Sequence, residues 1–131
     1  MTKYILDTNI CIEYFKDKPS VTNRIDEIGL ENIYVSEITI AELRFGAEKS
    51  KKQKHFDEVE NLLKSVNVLC IFDTLKCYAK LRRYLEERGQ KVDGFDLLIA
   101  SAAINYDMVL VTDNIKHFGR IPNLKIENWM R

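Results

Sequence analysis

The chain has 131 residues, 46% of them hydrophobic, with 20 basic and 20 acidic side chains and a formal net charge of zero. That length favours one domain with a real core, and no apolar run reaches the ~18 residues of a membrane span. Zero net charge excludes the whole-chain footprint of a bulk nucleic-acid binder, although locally clustered bases can still touch nucleic acid.

The first element is a short apolar strand at residues 3–6, followed at once by Asp7-Thr8-Asn9. Asp and Asn avoid strand interiors and favour turns and caps. The sequence Met1-Thr2-Lys3 runs straight into this strand with no charged-then-apolar leader, so export is not expected. Asn9 to Phe15 reads as a short helix capped by Thr8 or Asn9. Ser20 is a good N-cap for Val21 to Ile28, and Gly29 stands just past its end. A strand at 33–35 leads to Ser36, which can cap a helix reaching about Glu48. Residues 53–65 carry Phe56, Val59, Leu62 and Leu63 at helical spacing. After a strand at 67–71, Asp73 can cap a helix with the stripe Leu75, Tyr78, Leu81, Leu85, ended by Gly89. Phe95 to Tyr106 is apolar on nearly all sides, the pattern of a central buried helix. Strands at 108–112 and 125–127 complete the chain. Alternating strands and helices predict an α/β fold: a single domain over residues 1–131 with a mostly parallel central sheet of four or five strands flanked by helices.

Three acids interrupt apolar runs: Asp7, Glu42 in Ile40-Ala41-Glu42-Leu43, and Asp96 in Phe95-Asp96-Leu97-Leu98. A carboxylate in such surroundings is costly unless it is paired or binds a metal. In parallel sheets, ligands gather beyond the carboxyl ends of the strands. Asp7 and Asp113 each follow a strand directly, and Glu42 and Asp96 lie near helix starts that can face the same edge. Four acids can therefore converge, and Mg²⁺, or Mn²⁺ with similar ligands, offsets their mutual repulsion. Metal-assisted phosphodiester hydrolysis is the chemistry that fits acids without a catalytic His or Cys. Each acid also has a plainer reading. Asp7 can cap the following helix, Glu42 can pair with Arg44 or Lys49, Asp96 can be a helix-dipole acid, and Asp93 can be a loop acid.

His55 and His117 sit far apart without ligand spacing and read as surface residues. Cys11, Cys70 and Cys77 form no close pair and read as small core residues in a reducing cytoplasm. The basic clusters Lys49, Lys51, Lys52, Lys54, His55 and Lys76, Lys80, Arg82, Arg83, Arg88 read first as solvated helix faces. Arg44, Lys49, Lys51, Lys52, Arg82 and Arg83 are candidates for nucleic-acid phosphate contacts that position without specifying sequence.

Together these segments resemble a known family. Tyr4-Ile5-Leu6-Asp7-Thr8-Asn9, the run Ser36 to Glu48, Asp96 to Ala103, Leu110-Val111-Thr112-Asp113-Asn114 with Phe118, and Glu127-Asn128-Trp129 are similar to the PIN-domain ribonucleases of the VapC toxin type, in the family's order. The resemblance implies a small α/β fold, a Mg²⁺- or Mn²⁺-dependent endoribonuclease, and the acids Asp7, Glu42 and Asp96. The expected roles are Asp7 and Asp96 as principal metal ligands, Glu42 holding a metal-bound water or a second metal and helping to deprotonate the nucleophile, and Asp113 or Asn114 completing the site. In many members the fourth acid lies two residues after the Thr. Here Asn114 holds that place and Asp113 precedes it. Thr8 and Thr112 are implied to orient carboxylates, with Asn9 beside them. Asp93 stands where this subgroup often has glycine, with Gly94 shifted by one. The resemblance further implies an antitoxin that wraps the toxin, a homodimer, a toxin–antitoxin hetero-oligomer, and tRNA as substrate, specifically the anticodon stem-loop of the initiator tRNA. Two other readings compete. A Mg²⁺-dependent phosphatase of the dehalogenase type would carry a second aspartate where Asn9 stands. A non-catalytic partner-binding module on the same fold would not need three intact acids.

Overall fold

The computed structural model describes every residue from Met1 to Arg131. Five strands, β1 (Tyr4–Leu6), β2 (Ile33–Ser36), β3 (Asn67–Leu69), β4 (Val109–Val111) and β5 (Lys125–Glu127), form one sheet in the order β3-β2-β1-β4-β5. Every pairing is parallel, so no antiparallel edge interrupts the sheet. Seven helices cover it: α1 (Thr8–Phe15), α2 (Pro19–Ile28), α3 (Glu37–Ser50), α4 (Gln53–Ser65), α5 (Leu75–Glu87), α6 (Gly94–Asn105) and α7 (Ile115–Phe118). None is long and apolar enough to cross a membrane.

Strand side chains alternate between faces, and the pattern in the central strand β1 and its neighbour β4 divides the core. Ile5 and Leu110 join Leu85, Leu97, Ile99 and Phe118 in one cluster. Leu6 and Val111 join Ile10, Val35, Leu43, Val59 and Trp129 in the other. Helix α6 has almost no polar face, as its sequence predicts, and Leu97, Ile99, Ala100, Ala102 and Ala103 are all buried. Its buried Ser101 hydroxyl is satisfied by donating to the Leu97 carbonyl at 2.7 Å.

Several local expectations need correction. Helix α1 starts one residue earlier than expected, because Asp7 itself is the cap and accepts from Thr8 N at 2.8 Å. Helix α2 begins at Pro19, whose fixed φ and missing N–H suit the first helical position, so Ser20 lies inside it. Asp73 does not cap α5. It sits in a 3-10 turn, Phe72–Thr74, and accepts from the Tyr106 hydroxyl at 3.4 Å. Strands β3 and β4 are shorter than read. Of the cysteines only Cys11 is buried, while Cys70 is exposed and Cys77 intermediate. Ser36 does cap α3, accepting from Ile38 N at 3.1 Å, and Gly29 ends α2 with φ at 92°.

Candidate active site

The sheet order reverses direction at β1, which has β2 on one side and β4 on the other. This is the switch point where parallel sheets open a crevice at their carboxyl edge. Asp7 stands there, one residue past β1. Its amide donates to the Val111 carbonyl at 2.9 Å, so the residue is tied to β4 before its side chain does anything. The side chain is nearly buried, and both carboxylate oxygens are engaged. Oδ1 accepts from Thr8 N at 2.8 Å, and Oδ2 accepts from Thr112 Oγ1 at 2.9 Å. Thr112 is itself fully buried, and its hydroxyl accepts from Asn114 N at 3.0 Å. A chain of donors therefore runs from the Asn114 amide through Thr112 into Asp7.

Glu42 comes from the middle of α3. Its Oε1 accepts from Thr8 Oγ1 at 2.6 Å, and Thr8 Oγ1 also lies 3.4 Å from the buried Thr39 hydroxyl one turn earlier on α3. Thr8 thus links the acid of α3 to the start of α1. Asp96 lies in the first turn of α6, half-buried. Asp93 is the cap of that helix, accepting from Phe95 N at 3.1 Å, so the loop acid has a defined structural task.

Burial raises the carboxyl pKa of both Asp7 and Asp96 above the ordinary aspartate value. For Asp7 the hydrogen bonds from Thr112 and Thr8 oppose that rise. For Asp96 the neighbouring charge of Asp7 adds to burial, with smaller contributions from Asp93 and Glu42, while His117 opposes them. Asp7, Glu42, Asp93 and Asp96 therefore share one electrostatic neighbourhood. Asp113 does not join it. It is exposed in the loop after β4, and its Oδ1 accepts from Asn128 Nδ2 at 3.4 Å. Asn114 and Asn9 are exposed as well.

Sequence reasoning missed His117. It is not a free surface residue: its side chain is 23% exposed, and Nε2 lies 3.2 Å from Asp96 Oδ2. Helix α7 brings it back over the sheet edge, anchored by the fully buried Phe118, on which the imidazole packs edge-on at 5.4 Å. The signal in the sequence was Phe118, an apolar anchor that fixes the face on which its neighbour emerges.

The basic candidates lie elsewhere. Arg44 pairs with Glu60 at 3.0 Å, Arg82 with Glu86 at 2.8 Å, and Arg83 with Glu87 at 3.5 Å, all exposed. Lys49, Lys51 and Lys52 are exposed at the end of α3 and the turn after it. Beside Glu42, a groove of about 270 Å³ between α1, α3 and α4 is lined by Ile12, Phe15, Leu43 and Val59 with Lys54 and His55.

A comparison with protein families places residues 4–124 in the PIN domain. The chain is a PIN-domain protein of the VapC family. It is 42% identical to Ribonuclease VapC2 of Rickettsia felis, over 96% of this chain and 97% of that one. It is 35% identical to the tRNA(fMet)-specific endonuclease VapC of Salmonella typhimurium, over 98% and 99% respectively. Among solved structures, VapBC from Salmonella typhimurium bound to DNA superposes with a TM-score of 0.91 at 34% identity, covering 98% of this chain and 99% of that chain.

No three of this VapC-type chain's His, Cys, Asp and Glu side chains close into a ready-made cage. The donor set still fits a hard cation that keeps much of its water and takes only one or two carboxylates directly. It also contains a buried polar atom without a hydrogen-bond partner, Nε2 of His117, at the mouth of the acids.

Proposed function

We propose that the chain is the toxin of a toxin–antitoxin pair, a divalent-metal-dependent endoribonuclease that cleaves tRNA in the cytoplasm, with the anticodon stem-loop of the initiator tRNA as its target. The observation that carries the reading is the meeting of Asp7, Glu42 and Asp96 at the carboxyl edge of the sheet, with Thr8 and Thr112 orienting two of them. The tRNA target rests on the named activity of the Salmonella typhimurium relative. The whole chain, residues 1–131, serves as one nuclease domain.

Asp7 and Asp96 would hold Mg²⁺ or Mn²⁺. When bound, such a cation neutralises charge on the phosphoryl oxygens and makes water a better nucleophile near neutral pH. Glu42 is fixed through one oxygen by Thr8, and its other oxygen takes a proton from the attacking water. Water adds to phosphorus in line, the bond to the 3′ oxygen breaks, that oxygen takes a proton from solvent water, and the products are a 5′-phosphate and a 3′-hydroxyl. Asp113 and Asn114 stand exposed in the loop after β4 and contact the substrate from there. Lys49, Lys51, Lys52 and the arginines hold RNA phosphates outside the crevice. The apolar groove beside Glu42 suits an antitoxin segment with an apolar face and a basic side chain reaching the acids. A homodimer would place two crevices in one groove.

The test is cleavage of purified tRNAs and unrelated RNAs with Mg²⁺, with Mn²⁺, with EDTA, and by Asp7→Asn, followed by end-group analysis. Cutting at one tRNA position that needs both metal and Asp7, with 5′-phosphate ends, is the expected result. A 2′,3′-cyclic phosphate end would overturn the mechanism. The non-catalytic reading draws on one observation, that Asp7 serves α1 as a cap. It predicts no cleavage by folded, metal-loaded protein.

A further inference from the structure

We propose that His117 supplies a nitrogen ligand, through Nε2, to the same divalent cation that Asp96 binds, so that this site is a mixed nitrogen–oxygen centre. The inference rests on the metal-dependent reading of the crevice and goes beyond it in the donor set and the metal preference.

Three observations converge on Nε2. The atom is buried from solvent and has no hydrogen-bond partner. Buried polar atoms are rarely left unpaired, and one that is calls for an ion or another missing partner. The atom also lies 3.2 Å from Asp96 Oδ2, yet the contact falls outside hydrogen-bond alignment. An ion pair at that distance would normally aim its N–H at the carboxylate. Two atoms that both present lone pairs to one cation need not point at each other. Neighbouring donors around an octahedral cation with bonds of ~2.1 Å stand roughly 3 Å apart, close to the separation found here. Finally, the ring is held in place without help from the acids. Phe118 is fully buried behind it, and the imidazole packs edge-on against that ring.

The fourth carboxylate that the Thr112-Asp113-Asn114 segment was expected to supply does not reach the other acids, since Asp113 is exposed and bonded to Asn128. His117, on the helix that follows, reaches Asp96 instead. A neutral imidazole in that place reduces the negative charge of the site. It also moves its preference away from Mg²⁺, which favours oxygen donors, toward first-row metals that accept imidazole, with Mn²⁺ the hard end of that series.

The experiment uses the purified full-length chain with Mn²⁺ as the probe. Pulsed electron paramagnetic resonance on the wild-type protein should show hyperfine coupling from one directly bound histidine nitrogen. The coupling should change to that of ¹⁵N on labelling with [¹⁵N]histidine. It should vanish in His117→Gln and persist in His55→Gln. By calorimetry, His117→Gln should weaken Mn²⁺ binding about tenfold or more while changing Mg²⁺ binding less. The wild-type spectrum does not depend on whether the variant folds. Mn²⁺ binding that is lost in Asp7→Asn but shows no histidine coupling would overturn the nitrogen ligand and leave the carboxylate site standing. No Mn²⁺ binding sensitive to Asp7 would overturn the metal-dependent reading itself, and His117 with it.

Discussion

Asp7 carries two jobs in one carboxylate. It caps α1 through Thr8 N, and it faces the crevice with Oδ2 held by Thr112. Asp7→Asn should reduce RNA cleavage by at least about a hundredfold, a loss typical of removing one group that stabilises the transition state, with the fold retained by circular dichroism. Its effect on the metal-free protein should run the other way. The folded pKa values of Asp7 and Asp96 are raised, chiefly by burial and, for Asp96, by Asp7 beside it. The folded state then binds protons more tightly than the unfolded one, so stability falls as pH rises from the ordinary aspartate range through the raised values. In EDTA, the melting temperature should therefore rise as pH drops from neutral toward mildly acidic, and Asp7→Asn should flatten that rise. Thr112→Val should cost about 1–3 kcal/mol by denaturant titration, because it strands a buried carboxylate oxygen and the Asn114 amide together. The three acids were legible in the sequence because each breaks an apolar run. His117 was not, because the distance that matters is created by α7 folding back over the edge, and spacing along the chain carries no trace of it. Cys70 was misread for the opposite reason: small apolar character alone does not say which side of β3's end a residue occupies. Native labelling with a thiol reagent should modify Cys70 readily. Cys11 should react only on unfolding, since its thiol is fully buried and burial pushes its pKa up.

Among the elements, helix starts were the harder part of the sequence to read. Ser36 was legible because Ser before an apolar run is a strong cap. Asp73 looked equally good, but the chain tightens into a 3-10 turn there and spends the side chain on Tyr106. Asp93 shows the reverse case, a residue read as loop that fixes the start of the most buried helix. Its role separates cleanly from its charge. Asp93→Ala should destabilise the protein by about 1 kcal/mol through loss of the cap. Asp93→Ser should restore that stability, and with it the wild-type cleavage rate, as measured by thermal melts and single-turnover assays on the three proteins. A cleavage loss in Asp93→Ser with full stability would show that the charge itself acts in the crevice.

At the scale of the molecule, the all-parallel order sets the central strand, β1, beside β4, which is more than 100 residues later in the chain. Strand order is not written in periodicity. The alternation of strands and helices predicted the fold class, but which strand lies beside β1 is decided by how helices pack on the two faces. The C-terminal end is also built in. Trp129 is nearly buried, its ring lies 5.3 Å from Tyr4, and its Nε1 donates to Glu127 at 3.0 Å. Trp129→Ala should cost about 3–5 kcal/mol in chemical denaturation, the range for emptying a large aromatic site.

The hydrogen bond from Thr112 to Asp7 closes a loop of 105 residues. On a ribosome making about 5–20 residues per second, roughly five to twenty seconds pass between the synthesis of its two ends. Until β4 emerges, Asp7 has no Thr112 and β1 has only half its neighbours. The crevice thus cannot assemble on a nascent chain. The site therefore stays incomplete until translation is nearly over, and those seconds are a built-in delay between the start of synthesis and the first moment at which Asp7 can be held in its final place.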